Sequence, residues 1–128
     1  MPTQGDQLRE RFRRFAVRIV RFARTLPREP AADGLARQLS RAGTGASANY
    51  HSACRGRSRA EFIARLGVAL DEADEAKHWL GVVKESALAS GAELEWLLRE
   101  SGELRAILFS SVTTARLNQR ATKSQQDL

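Results

Sequence analysis

Two histidines and one cysteine are the residues of this 128-residue sequence with the widest range of chemistry. His51 and Cys54 are three positions apart, a spacing that would place a base beside a thiol on one face of a helix. His78 follows Glu75 with the Glu-x-x-His spacing that di-iron helical bundles use. The first pair lacks an evident oxyanion donor or third orienting group, and the second lacks a matching Glu-x-x-His motif. We therefore expect no enzyme activity, no metal site and no cofactor.

Arginine carries most of the positive charge. The sequence contains 18 Arg and 3 Lys against 15 acidic residues, for a net charge of +6. The planar guanidinium group suits bidentate binding of phosphate oxygens. The charge is uneven, because residues 1–59 contain 13 Arg and 4 acidic residues whereas residues 60–128 contain 8 cationic and 11 acidic residues. This asymmetry favours a basic surface in the first half of the chain that binds RNA or DNA.

The arginines must be positioned by helices, since apolar residues recur at steps of three and four along the chain. The first such stripe predicts a helix over about residues 6–26, which Pro27 and Pro30 end. Several arginines lie opposite its apolar stripe, and others surround the corner before the third helix. The candidate nucleic-acid-binding residues are Arg11, Arg14, Arg18, Arg21, Arg28, Arg55, Arg57 and Arg59.

Three further helices follow from the same periodicity. A heptad pattern from Leu35 to Ala53, bordered by small residues, predicts a closely packed second helix. A capping box at Ser58-x-x-Glu61 predicts the start of the third helix, which should reach about Ala89. A second capping box, Ser90-x-x-Glu93, predicts the start of the fourth. We expect residues 1–5 and 121–128 to be flexible and residues 6–120 to form one domain.

The fold class predicted by these stripes is all-α, an antiparallel up-down four-helix bundle. Apolar residues outside the predicted apolar stripes, including Ile63, Trp79, Trp96 and Phe109, predict packing against other subunits. The phenylalanines of the first helix lie on or beside its buried side and cannot form a stacking platform. We therefore expect nucleic-acid binding that depends on salt and little on base sequence.

The sequence resembles a family of four-helix bundle proteins whose genes were first noticed inside intervening sequences of bacterial 23S rRNA genes. The resemblance covers roughly Leu8 to Leu117. Its most specific segments are Gln38-Leu39-x-Arg41-Ala42, Ser47-x-Asn49 and Ser58-x-x-Glu61-Phe62. The sequence departs at Ala53, where members commonly carry Glu, and this leaves the polar partner of Asn49 open.

The resemblance implies a homopentameric ring without enzyme activity. It extends more distantly to the accessory variability determinant of diversity-generating retroelements, a basic pentamer that associates with a reverse transcriptase and nucleic acid. We therefore expect a non-enzymatic protein that binds nucleic acid through its arginines, as an accessory to a reverse transcriptase or an RNA-processing system. The alternative is a protein-protein adaptor, in which the arginines contact other subunits or an acidic partner. A single cysteine, and no apolar run long enough to span a bilayer, predict a cytoplasmic location and no membrane partner.

Overall fold

The computed structural model describes residues 1–127, and within that range the chain forms four helices. They are α1 (Gln4–Ala23), α2 (Pro30–Cys54), α3 (Arg59–Glu85) and α4 (Ala92–Gln126). Each helix packs against two others, in the order α1, α2, α3, α4 and back to α1. Neighbouring helices are antiparallel: as α1 advances from Arg11 to Arg18, its partners on α4 recede from Glu100 to Glu93. The predicted all-α four-helix bundle is confirmed, whereas the ring-shaped oligomer stays a prediction.

The predicted apolar stripes form the core. Phe12, Phe15 and Ile19 of α1 are fully buried, and the ring of Phe12 stacks on Tyr50 of α2 at a centroid distance of 5.0 Å. Close approach of α1 and α2 depends on Gly43, where an added Cβ would lie 2.8 Å from Ile19 Cγ2. The small stripe of α2 therefore packs against a neighbouring helix, as predicted.

Not every apolar residue outside the seams is available to another subunit. Ile63, predicted to face a neighbouring copy, is buried within the chain itself, and Trp79 and Trp96 pack against its core. Phe109 is 57% exposed, so it alone of these four has most of its side-chain surface open. The stripes were identified correctly, but a heptad seam is narrower than the face that a bundle helix buries.

The helix starts only partly follow the predicted caps. The hydroxyl of Ser58 accepts from the Glu61 amide at 3.1 Å, as expected, but the Glu61 carboxylate accepts from the Arg57 amide instead of completing a capping box. The prediction of a capping box at Ser90 is wrong. Gly91, with φ of 115°, is the N-cap of α4 and provides no side-chain bond, and the Glu93 carboxylate instead pairs with Arg18.

A capping box that the sequence reading missed starts α1. Thr3 Oγ1 accepts from the Asp6 amide and an Asp6 carboxylate oxygen accepts from the Thr3 amide, both at 3.0 Å. This reciprocal pair satisfies two amides that the first turn would otherwise leave unbonded. It begins α1 at Gln4, so part of the predicted flexible segment 1–5 is helical.

The other two differences concern helix ends. α3 stops at Glu85 and not near Ala89, because Ala87 adopts a left-handed conformation with φ of 60°. The amides of Ala87 and Leu88 then donate back to the carbonyls of Lys84 and Val83, which is a Schellman motif. At the other end of the chain, α4 continues to Gln126 although residues 116–127 are exposed. Leu128, the last residue of the predicted flexible tail, lies outside the described residues.

Asn49 finds its polar partner on α3. Its amide Nδ2 donates to Glu72 Oε1 at 2.6 Å and to the Gly45 carbonyl at 3.1 Å. A Cβ on Gly45 would lie 1.7 Å from Glu72 Oε2, so glycine makes the space that the carboxylate occupies. Burial raises the pKa of Glu72, partly offset by the bond from Asn49. Glu72 therefore provides Asn49 with a carboxylate although Ala53 stands where family members commonly have Glu.

Candidate nucleic-acid interface

The arginines of α1 lie along two edges and an outer surface between them. The edge next to α4 holds Arg11, whose Nη2 donates to Glu100 Oε1 at 2.6 Å and to Glu103 Oε2 at 2.7 Å. Its Nε also donates to Glu100 Oε2 at 3.1 Å. Glu100 is only 9% exposed, so removing Arg11 would leave a carboxylate poorly solvated. Arg11 therefore stabilises the contact between α1 and α4.

Arg18 is engaged in the same way about two turns further along this edge. It forms a bidentate pair with Glu93, and its guanidinium carbon lies 3.4 Å from the ring centroid of Trp96. The hydrogen bonds from Arg18 hold the pKa of Glu93 below its ordinary value. The side of α1 opposite its apolar stripe is thus not a uniform solvent-facing surface, because two of its arginines are already paired within the chain.

Arg14 and Arg21 occupy the outer surface of α1. Both are exposed, and neither takes part in the ion pairs found among residues 1–127. Their predicted exposure is therefore observed. They differ from Arg11 and Arg18 because α4 does not reach this surface.

The edge of α1 next to α2 borders three cavities that share lining residues in series, here together called the α1–α2 groove. Its wide section has a volume of about 580 Å³ and carries two arginines, one histidine and three hydroxyl side chains. The residues lining this section are Arg9, Glu10, Arg13, Ala16, Thr44, Ser47, Ala48, His51 and Ser52. Arg9 pairs with Asp6, whereas Arg13 is exposed and outside the ion pairs of residues 1–127. The wide section can therefore accept an anionic group.

Two narrower sections continue the groove towards the turn between α1 and α2. A section of about 300 Å³ is lined by Ala16, Val17, Val20, Arg21, Arg24 and Thr44. A section of about 290 Å³ at the turn contains Arg24, Arg28 and Arg37, together with a single carboxylate from Asp33. Arginines therefore line the groove along its length, and the aliphatic side chains are concentrated in the section between its two ends.

Arg13, Arg24 and Arg37 are groove residues that the sequence reading did not select. A helical wheel of α1 separates buried from exposed residues, but it does not show which neighbouring helix lies beside each edge. A usable signal was present, since residues 34–54 contain no Asp or Glu whereas the first part of α4 contains Glu93, Glu95, Glu100 and Glu103. Arginines beside α2 therefore have few acidic partners, and those beside α4 have several.

The remaining predicted residues lie at the two ends of the bundle. Arg28 is exposed in the turn section of the groove. Arg55, Arg57 and Arg59 are exposed at the α2–α3 corner, directly after the His51 and Ser52 that line the wide section. The corner therefore adds positive charge beside the wide end, whereas Arg28 lies at the opposite end of the helices.

The two histidines and the cysteine are exposed on α2 and α3. Within residues 1–127, no group of three or more His, Cys, Asp or Glu side chains is placed to hold a metal ion. Cys54 is exposed, and His78 packs edge-on against the Trp79 ring. None of the helices in this range is both long and apolar enough to cross a bilayer.

Four antiparallel helices around one core, with paired arginines on one edge of α1 and a basic groove on the other, define a small all-α bundle protein. The chain belongs to the 23S rRNA-intervening sequence protein family, whose model matches residues 7–110. A solved relative is a protein of unknown function from the S23 ribosomal protein family of Bacteroides thetaiotaomicron VPI-5482. It is 30% identical with a TM-score of 0.78, over 87% of this chain and 99% of the relative. No curated protein matches the sequence.

Proposed function

We propose that this protein binds the phosphate backbone of RNA or DNA through the α1–α2 groove and acts without catalysis. The observation that carries the proposal is the difference between the two edges of α1. Arg11 and Arg18 are neutralised by glutamates of α4, whereas Arg13 and Arg24 border α2, which includes Arg37 and has no acidic residue after Asp33. Arg13, Arg24 and Arg37 take part in no ion pair among residues 1–127, and a surface with such cations suits a polyanion.

The remaining exposed arginines extend the same surface. Arg14 lies beside the groove on α1, Arg21 lines its middle section, Arg28 lies at its turn end, and the α2–α3 corner lies beyond its wide end. Among residues 1–127, no Phe, Tyr or Trp lines the groove, which favours backbone contact over readout of base identity.

We also propose that several chains assemble, as the family resemblance implies for a pentamer. The exposed side chains of Phe109, Leu117 and Val68 on α3 and α4 support this, since such residues are common where subunits meet. Assembly would repeat the groove and increase affinity through multivalent contact. A cytoplasmic location and a reverse transcriptase or RNA-processing partner belong to the same proposal.

The proposal is tested by two matched double charge reversals. Arg13→Glu/Arg24→Glu alters the groove, and Arg99→Glu/Arg116→Glu makes the same change in net charge at exposed positions of α4. Binding to fluorescent RNA and DNA oligonucleotides is measured by anisotropy over a range of salt concentrations, after circular dichroism confirms folding. We expect the groove variant to bind at least about tenfold more weakly and with a flatter dependence of log affinity on log salt.

The control variant separates local from overall charge. We expect it to lose less than about threefold in affinity, because Arg99 and Arg116 lie away from the α1–α2 groove. Equal losses in both variants would show that only net charge matters. If the wild-type protein bound neither oligonucleotide at low salt, nucleic-acid binding would be excluded and the adaptor hypothesis would be favoured.

A further inference from the structure

The middle section of the α1–α2 groove has an aliphatic surface, which the phosphates of a polyanion backbone have no reason to contact. Ala16, Val17 and Val20 line it, and Val17 is 42% exposed although it lies between arginine-rich sections. The hydroxyl of Thr44 donates to the Ser40 carbonyl at 2.7 Å, so its polar atom is occupied within α2. This section can be covered favourably only by an apolar or aromatic surface.

The distance between the two charged ends is known from helix geometry. Arg13 and Arg24 are eleven positions apart on α1, which corresponds to about 16 Å at the rise of an α-helix. A ligand that spans the groove must therefore present negative charge at both ends and an uncharged surface between them. A single strand of nucleic acid can do so, because its bases are free to turn away from its phosphates.

A duplex fits this pattern less well. Its bases are stacked and paired inside, and its outer surface presents charged phosphates at every step. Docked on the groove, a duplex would place phosphates and sugars against the aliphatic carbons of Val17 and Val20, where they lose hydration and only Arg21 and Arg24 of the same section can offset that loss. The aliphatic section would then oppose binding.

We propose that the α1–α2 groove selects single-stranded over double-stranded nucleic acid. Phosphates contact Arg13 at one end and Arg24 and Arg37 at the other, while the face of at least one base covers Val17 and Val20. Aliphatic side chains pack against any base, so the preference concerns strandedness and not sequence. This inference rests on the nucleic-acid binding proposed above and names the form of nucleic acid that the same groove takes.

The test compares two valines of equal exposure. Val17→Ser removes apolar surface from the groove, and Val68→Ser removes it from α3, where Val68 is 44% exposed. Each variant and the wild type are titrated with single-stranded oligonucleotides of poly-dT and poly-dA and with the duplex that they form together. Wild type should bind both single strands more tightly than the duplex. Val17→Ser should lose about threefold to tenfold in single-strand affinity with little change for the duplex. Val68→Ser, which lies on the proposed assembly surface, should leave the ratio of single-strand to duplex affinity at its wild-type value.

The outcomes distinguish this inference from the function on which it rests. Equal or tighter binding of the duplex, or a Val17→Ser variant that resembles Val68→Ser, would overturn the preference for single strands. If affinity still fell in the Arg13→Glu/Arg24→Glu variant, nucleic-acid binding through the groove would stand. Absence of binding to all three ligands, or no effect of the arginine substitutions, would instead overturn the proposed function itself.

Discussion

Arginines of one helix serve different purposes here because their neighbours differ. Arg11 and Arg18 contact glutamates that α4 places within 3.1 Å, so their charge stabilises the packing of two helices. Arg13 is only two positions from Arg11, and Arg24 is six from Arg18. Both nevertheless border α2, whose side chains lining the groove at this edge are small or neutral. Any binding experiment must therefore choose its substitutions by edge. Replacing Arg18 would disturb the bundle as well as the surface charge.

The ion pair of Arg18 predicts a specific acid response. Because hydrogen bonds from Arg18 lower the pKa of Glu93 below 4.5, this carboxylate stabilises the fold above pH 4.5 and loses that contribution as pH falls through its lowered pKa. Glu93→Gln should reduce the free energy of unfolding at neutral pH by less than about 1 kcal/mol, since the pair is partly solvated. Urea unfolding measured from neutral pH downwards should show this difference shrinking below pH 4.5.

Glu85→Gln serves as the control for this prediction. Glu85 is exposed and outside the ion pairs found among residues 1–127. Its variant should follow the wild-type pH dependence closely. Identical behaviour of Glu93→Gln and Glu85→Gln would mean that the contact between Arg18 and Glu93 contributes nothing to stability in solution.

At the scale of the helices, side-chain pattern predicted more than backbone conformation did. The apolar stripes of all four helices were readable because burial repeats with the helical period, and Leu39, Leu66 and Leu97 are buried as expected. Helix ends depend on single dihedral angles and local hydrogen bonds. The stop of α3 at Glu85 required Ala87 to be left-handed, a conformation that alanine rarely adopts and that sequence gives no reason to expect.

That conformation can be tested by a pair of glycine substitutions. Ala87→Gly should raise the free energy of unfolding by about 1 kcal/mol, because glycine adopts a positive φ without the steric penalty of a Cβ. Ala64→Gly, at an exposed position inside α3, should lower it by about 0.5 to 1 kcal/mol. Urea unfolding of both variants gives the comparison. Destabilisation of similar size in both would show that α3 continues through Ala87 in solution.

The candidate site was less predictable than the helices. Arg14 and Arg21 could be assigned to the surface from α1 alone, and both are exposed. The groove could not be assigned in that way, because it depends on which helix lies beside Arg13 and Arg24. Val17 and Val20 also could not be assigned to a groove from α1 alone, because the groove forms only where Thr44 of α2 lies beside them.

At the scale of the whole molecule, the basic groove and the exposed apolar residues lie on different helices. The α1–α2 groove is basic, whereas α3 and α4 expose Phe109, Leu117 and Val68. Assembly through α3 and α4 would cover the apolar residues and leave every groove open to solvent. Such an arrangement would combine self-association with multivalent binding without competition between the two.

This arrangement predicts that the chain self-associates in solution, for which the family resemblance implies a pentamer, and that Phe109→Asp weakens assembly without unfolding the chain. A charge at an apolar subunit contact is costly to bury, whereas Phe109 is 57% exposed within one chain. Sedimentation equilibrium gives the mass of both proteins, and circular dichroism gives their helix content. A monomeric wild-type protein at micromolar concentration would contradict self-association, and an unchanged oligomer for Phe109→Asp would place the contact elsewhere.

The most direct measurement of the central claim is arginine footprinting by phenylglyoxal modification and mass spectrometry, with and without a saturating single-stranded oligonucleotide. It reports on individual guanidinium groups in the unmodified wild-type protein. Binding through the α1–α2 groove predicts that Arg13, Arg24 and Arg37 become protected while Arg99 and Arg116 remain reactive. Two results would contradict it. One is protection of Arg99 and Arg116 while the three groove arginines stay reactive, and the other is equal protection of all five.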